Sequence, residues 1–219
     1  MLNYKNKQIM KITTITIALI LVFSSCKLLQ KRMLKAYGIK DPAIETEATI
    51  KETALKFGMD TSSIVTVNLT DFIATFKGAH GIPEGAVFNS KGEFIEYKDT
   101  SLACNAGLFD LIPKLSKTKN YNTKDKLSLK TELNKFRTIR GGKVATDLNP
   151  EYDFYLFIYW SVWTGKLNQN HVKVWEDLAR KNTGAKIKVI QVNLDMQSYW
   201  PQEETAVIKD TLYKIIKKT

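Results

Sequence analysis

The feature that most constrains this chain is the stretch over residues 152–167, YDFYLFIYWSVWTGKL. An unbroken apolar and aromatic run from Phe154 to Trp160 stops at Ser161, and a helical pattern follows. A run so short and so rich in aromatics reads as a strand buried on both faces, which requires a sheet covered on both sides. The turn after such a strand, at its carboxyl end, is where open α/β sheets place a ligand or their chemistry. Here that turn carries the hydroxyls of Ser161 and Thr164, the indoles of Trp160 and Trp163 and the amine of Lys166. It holds no thiol, carboxylate or imidazole.

The rest of the chain supplies partners for that strand. Residues 168–182 read as a helix with Val172, Trp175, Leu178 and Ala179 on its inner stripe, closed by Gly184. Residues 187–194 (IKVIQVNL) read as a second strand, and 203–218 as a helix turning Ile208, Leu212, Ile215 and Ile216 inward. Upstream, Asp41-Pro42 opens a predicted helix over 43–57 with Ala43, Ile50, Ala54 and Phe57 on one face. Residues 63–67 (SIVTV) read as a strand, after which Thr70 is placed to cap a short helix bearing Leu69, Phe72, Ile73 and Phe76. Two apolar runs around Asn89-Ser90-Lys91-Gly92 predict a β-hairpin with Gly92 at positive φ. A helix over 102–115 carries Cys104, Leu108, Phe109, Leu111 and Ile112. Residues 116–150, rich in Lys, Thr and Asn, read as a connector with one helical stretch through Leu129, Leu133 and Phe136. The Gly pair between Arg140 and Lys143 lacks the strand-to-helix setting of a phosphate-binding loop.

The first 26 residues stand apart. Lys5, Lys7 and Lys11 precede an uncharged stretch over 12–23, and Ser24-Ser25-Cys26 closes it. The three regions are those of a signal peptide, with Met10 a second candidate start, and the apolar part is short for a bilayer span. Small residues followed by Cys resemble the lipobox of bacterial lipoproteins, with Phe23 departing from the Leu usual in that family. The resemblance implies removal of residues 1–25, lipid (palmitate among it) on Cys26, and a basic linker to residue 42. It also implies a place in the cell envelope, the outer membrane favoured over the inner because Lys27 rather than Asp follows the Cys. More than one acyl chain suffices for stable attachment. Losing three Lys and no acid lowers the formal charge from +11 to +8. No compact basic and aromatic cluster of the nucleic-acid kind is present, so nucleic acid is not an expected partner.

The Gly81-Ile82-Pro83 segment, the hairpin after it and the following helix resemble the second half of the thioredoxin fold, where the Pro is cis and faces the active-site turn. Residues 151–219 resemble its first half, with Trp160 where that family's Trp precedes its Cys-x-x-Cys. The halves occur in reversed order, which implies either a circular permutation or two half-like units packed together. Both give one thioredoxin-like α/β sandwich with a mixed central sheet over 43–219, in which 116–150 connects the halves 43–115 and 151–219.

By that match Ser161 and Thr164 occupy the two Cys positions, so dithiol exchange, which needs a thiolate and a partner thiol, is absent at the turn. Cys104 is then the one catalytic candidate, either a buried small hydrophobe or a single reactive thiol. His80 and Asp195 complete a Ser-His-Asp set on Ser161 only if the fold gathers them; otherwise Asp195 caps a loop. His171 has no metal-ligand neighbours at useful spacing, so neither a metal nor a cofactor is expected. Pro83, Trp160, Ser161, Trp163, Thr164 and Lys166 form the candidate contact surface for a protein partner. Three functions follow: a membrane-anchored, non-redox binding or scaffolding module; a thiol enzyme using Cys104; or an inhibitor or immunity lipoprotein. The balance favours binding over catalysis.

Overall fold

The computed structural model of the chain describes residues 32–79, 81–97 and 105–216, without the side chains of Asp125 and Lys126. Cys26, His80 and Cys104 lie outside these residues. The chain divides into two units, residues 1–40 and residues 41–219. In the first, residues 32–37 are helical where the sequence reads as linker.

The second unit is a mixed α/β structure. In chain order its strands are β1 (Ile44–Glu45), β2 (Ile64–Val67), β3 (Glu84–Asn89), β4 (Glu93–Ile95), β5 (Thr123–Ser128), β6 (Phe136–Thr138), β7 (Phe154–Trp160), β8 (Ile187–Asn193) and β9 (Met196–Gln197). Its helices are α1 (Glu47–Lys56), α2 (Phe72–Gly78), α3 (Gly107–Lys114), α4 (Leu129–Lys135), α5 (Val174–Lys181, preceded by a π-turn over Asn168–Lys173) and α6 (Gln202–Ile216). Seven strands form one sheet in the order β5-β4-β3-β7-β8-β2-β6, and β1 pairs with β9 in a two-stranded ladder. The β7–β8 and β8–β2 pairs are parallel, and the remaining pairs of the large sheet are antiparallel.

Strand β7 lies at the centre, and every residue in it is buried. Its alternating side chains serve two cores. Tyr155, Phe157 and Tyr159 join Phe72 of α2, Leu129 and Leu133 of α4, and Ile208 and Leu212 of α6. Phe154, Leu156, Ile158 and Trp160 join Ile50 and Ala54 of α1, Leu108 and Ile112 of α3, Val172 of the π-turn, and Trp175 and Ala179 of α5. Helices thus cover both faces of a mixed sheet, an α/β sandwich, as a strand without a polar face demands.

The hairpin forms where the sequence places it. Gly92 sits at φ 82°, and Asn89 Oδ1 accepts the Lys91 and Glu93 N–H groups at 3.0 Å each. Three boundaries differ. Helix α1 begins at Glu47, not at 43, because Thr46 and Thr49 exchange side-chain-to-backbone hydrogen bonds, a reciprocal cap that fixes the start and leaves Ala43 exposed. Thr70 is not the cap of α2; Asp71 holds that position, and its N–H donates to Asn68 Oδ1 at 2.8 Å. The third difference is the connector, which supplies both edge strands of the large sheet, β5 on β4 and β6 on β2. The polar run TKDKLS of β5 has no apolar alternation to announce a strand, yet charged side chains suit an edge.

Candidate functional site

Three segments meet at the carboxyl end of β7. Glu84 opens β3 opposite Tyr159, so the cis Ile82–Pro83 bond lies beside the residues that end β7. Asn193 pairs with Trp160, which brings the end of β8 and Asp195 alongside. The chain leaves β7 through one 3-10 turn, Val162–Thr164, closed by Gly165 at φ 59° and ψ −130°, where a side chain would be strained. The π-turn into α5 follows. Such turns recur at functional sites.

The hydroxyls at this turn are committed to structure or enclosed. Thr164 Oγ1 lies 2.7 Å from the Ser161 carbonyl and 2.8 Å from Asn168 Oδ1, one proton serving both. Asn168 Nδ2 donates to the same carbonyl at 2.8 Å. Ser161 is fully buried, and its Oγ has no hydrogen-bond partner among the described residues. Among the described residues no base stands within hydrogen-bond reach of that hydroxyl to activate it.

Asp195 is a turn cap. Its Oδ2 accepts the Val162 N–H at 2.7 Å and Asn193 Nδ2 at 2.6 Å, while Oδ1 is buried without a partner among the described residues. Burial pushes its carboxyl up to about 7 against the pull of those two donors, with a further push from Glu45. His171 is also structural. Its Nδ1 lies 3.2 Å from the Leu167 carbonyl, and its ring meets Phe109 and Trp175 edge-on at 5.7 and 5.5 Å. Among the described residues no three metal-ligating side chains converge.

The six side chains expected to make a contact surface separate by depth. Pro83, Trp160, Ser161 and Thr164 are buried, so their side chains are not offered to a partner; Trp163 is half-buried and Lys166 exposed. Trp163 lines a cavity of about 410 Å³ with Phe76, Lys77, Gly81, Ile82, Ile215 and Ile216.

A second cavity of about 280 Å³ lies nearby and was not legible in the sequence. Its lining includes Thr75 and Ala79 near the end of α2, Glu84 and Ala86 of β3, Tyr97, Glu132 and Lys135 of α4, and Tyr159 of β7. Glu84 Oε1 accepts the Gly85 N–H at 3.1 Å and the Tyr97 hydroxyl at 3.2 Å, and Lys135 donates to Glu132 at 2.6 Å. Burial above all, then the carboxylates nearby, holds the Tyr97 and Tyr159 phenols well above their ordinary range, so both stay neutral. The one local signal was Glu84, a charged residue opening the apolar strand EGAVFN.

Against known proteins, no family model, curated protein or solved structure matches this chain.

Proposed function

We propose that the chain is a thioredoxin-like lipoprotein of the bacterial envelope, anchored through Cys26, that binds a partner and does not exchange dithiols at the turn after β7. The observation that carries this reading is the turn itself. Ser161 and Thr164 stand where a dithiol would be needed, one enclosed and the other hydrogen-bonded into the turn. A hydroxyl has no accessible redox couple.

The thioredoxin-like assignment is supported by the arrangement around β7. Strands β8, β7, β3 and β4 lie side by side, β7 and β8 joined by α5, and β3 and β4 forming the hairpin that precedes α3. The cis Pro83 at the start of β3 stands beside the end of β7. In the chain the hairpin half comes first, which is the permuted order. The partner-facing part is the half-buried Trp163 with its cavity and the exposed Lys166. An indole with one face in a cavity is a common anchor of protein interfaces.

Two measurements test this. A palmitate analogue fed to expressing cells is incorporated into the wild type and lost in Cys26→Ser, which leaves the membrane fraction. The protein gives no turnover in insulin reduction or thiol oxidation. Turnover that survives Cys104→Ser, or an unlipidated wild type, overturns the proposal.

A further inference from the structure

The helix over residues 32–37, in the unit that ends at residue 40, stops where its sequence tells it to. Gly38 takes φ 68°, its N–H donates to the Lys35 carbonyl at 3.0 Å, and the Ile39 N–H donates to the Leu34 carbonyl at 2.9 Å. That pair of bonds is the Schellman stop of a helix. Yet six residues are far fewer than the roughly 12–15 at which an isolated helix becomes even marginal in water. Every residue from Arg32 to Gly38 is exposed, so the described chain offers this helix little packing. Seven large apolar side chains stand exposed among the described residues, and three of them fall here: Met33 at 55%, Leu34 at 41% and Tyr37 at 37%. The other four, Ile44, Leu55, Tyr199 and Val207, are scattered singly over separate elements, which is ordinary for a protein surface.

Successive residues of an α-helix are turned by about 100°. Met33, Leu34 and Tyr37 therefore share an arc of about 100°, and Arg32 and Lys35 project from the opposite side. From this sorting we infer that the helix lies flat on an anionic lipid bilayer, with Met33, Leu34 and Tyr37 in the headgroup–acyl boundary and Arg32 and Lys35 among the phosphates. Charge selects the surface. Residues 27–40 carry Lys27, Lys31, Arg32, Lys35 and Lys40 and no acid, and each basic group near a negatively charged leaflet adds to the attraction. Size excludes a protein as occupant, since a specific interface covers about 800 Å² per partner, far more than three side chains provide. A bilayer needs no matching shape, and a basic amphipathic helix with an aromatic at its apolar edge suits that boundary. The inference rests on the lipid anchor at Cys26 proposed above. Arg32 is six residues beyond that Cys, a reach of at most roughly 22 Å, so the anchor keeps the helix at high effective concentration beside the membrane.

The test places a polarity-sensitive fluorophore along the helix of the full chain, purified from membranes and returned to vesicles of phosphatidylcholine and phosphatidylglycerol. In a Cys104→Ser background the label is carried in turn by Met33→Cys, Leu34→Cys, Lys35→Cys and Tyr37→Cys. All four positions are exposed, so none of these variants disturbs a core. Labels at 33, 34 and 37 are expected to shift to the blue and to be quenched by spin-labelled lipid, while the label at 35 reads as in water. A linker that merely hangs from its anchor gives no such alternation. Arg32→Gln lowers the membrane-to-water ratio of the label at 34 roughly fivefold on these vesicles and leaves it unchanged on phosphatidylcholine alone. Four labels that read alike overturn the inference, as does equal quenching on phosphatidylcholine alone. A blue shift that spin-labelled lipid does not quench means that protein covers the face, and overturns it too. Each of these results in a chain that incorporates palmitate leaves the proposed function standing, whereas a chain without palmitate overturns both.

Discussion

Asp195→Asn should remove a loss of stability that the wild type suffers as pH rises from about 4 through 7. The folded state holds the Asp195 carboxyl at about 7, against about 3.9 in an unfolded chain. The folded state therefore binds the proton more tightly than the unfolded one. Stability from this group is complete below about pH 4 and is lost as pH rises through 7. A gap of about three units corresponds to about 4 kcal/mol across that window. The side chain is 2% exposed, so solvent screening reduces this little.

Asn matches the shape of the acid. Its carbonyl oxygen can accept the Val162 N–H and the Asn193 amide that now bond Oδ2. At pH 4 the two proteins should differ by no more than the cost of one unmet amide donor, about 1–3 kcal/mol. By pH 8 the variant should have gained up to about 4 kcal/mol relative to wild type. Urea unfolding at a series of pH values, read as the difference between the two proteins, isolates this group. Glu176, raised by burial, and Glu47 and Asp60, lowered by their hydrogen bonds, titrate alike in both and cancel. A difference that is the same at pH 4 and pH 8 would refute the reasoning, because Asp195 would then titrate alike folded and unfolded.

Two further substitutions probe the frame that holds the turn. Phe157→Ala empties the centre of the sheet, where the ring packs at 5.0 Å from Phe88 and 5.1 Å from Phe136, and should cost about 3–5 kcal/mol in urea unfolding. A loss under about 1 kcal/mol would mean that β7 is not buried on this face. Gly92→Ala puts a side chain at φ 82° and 3.3 Å from Leu129 Cβ, so the denaturation midpoint should fall by the equivalent of about 1 kcal/mol or more. An unchanged midpoint would argue against the turn as described.

What the sequence made legible was whatever local pattern controls. Strand β7 was readable because a fully apolar run has few other places to go, and the hairpin because Asn89 and Gly92 have specific turn chemistry. The paired Thr46 and Thr49 also carried the signal for the start of α1, although the apolar periodicity pointed four residues earlier. Strands β5 and β6 were hidden for the opposite reason, since an edge strand is held by main-chain hydrogen bonds that any side chain permits. Of the six residues singled out at the turn only Trp163 and Lys166 reach solvent, because sequence locates a turn without telling which side chains it folds inward. The polar cavity was beyond reach, as Thr75, Glu84, Glu132 and Tyr159 come from four elements that only the topology brings together.

The two cavities have a wall in common. Helix α2 turns Phe76 and Lys77 toward the Trp163 cavity and Ala74, Thr75 and Gly78 toward the carboxylate cavity. The chain that passes the cis Pro83 divides in the same way, Ile82 lining the first and Glu84 the second. Alternation along that short segment sorts the lining chemically, one side aromatic and aliphatic with a single Lys, the other rich in buried acceptors. Helix α2 has only seven residues, and its Asp71 side chain makes no cap bond to it. A helix so short is held by packing more than by its own hydrogen bonds. Its seat is the edge-on contact of Phe72 with Trp200 at 5.1 Å. A ligand that displaced α2 from one cavity would therefore reshape the other.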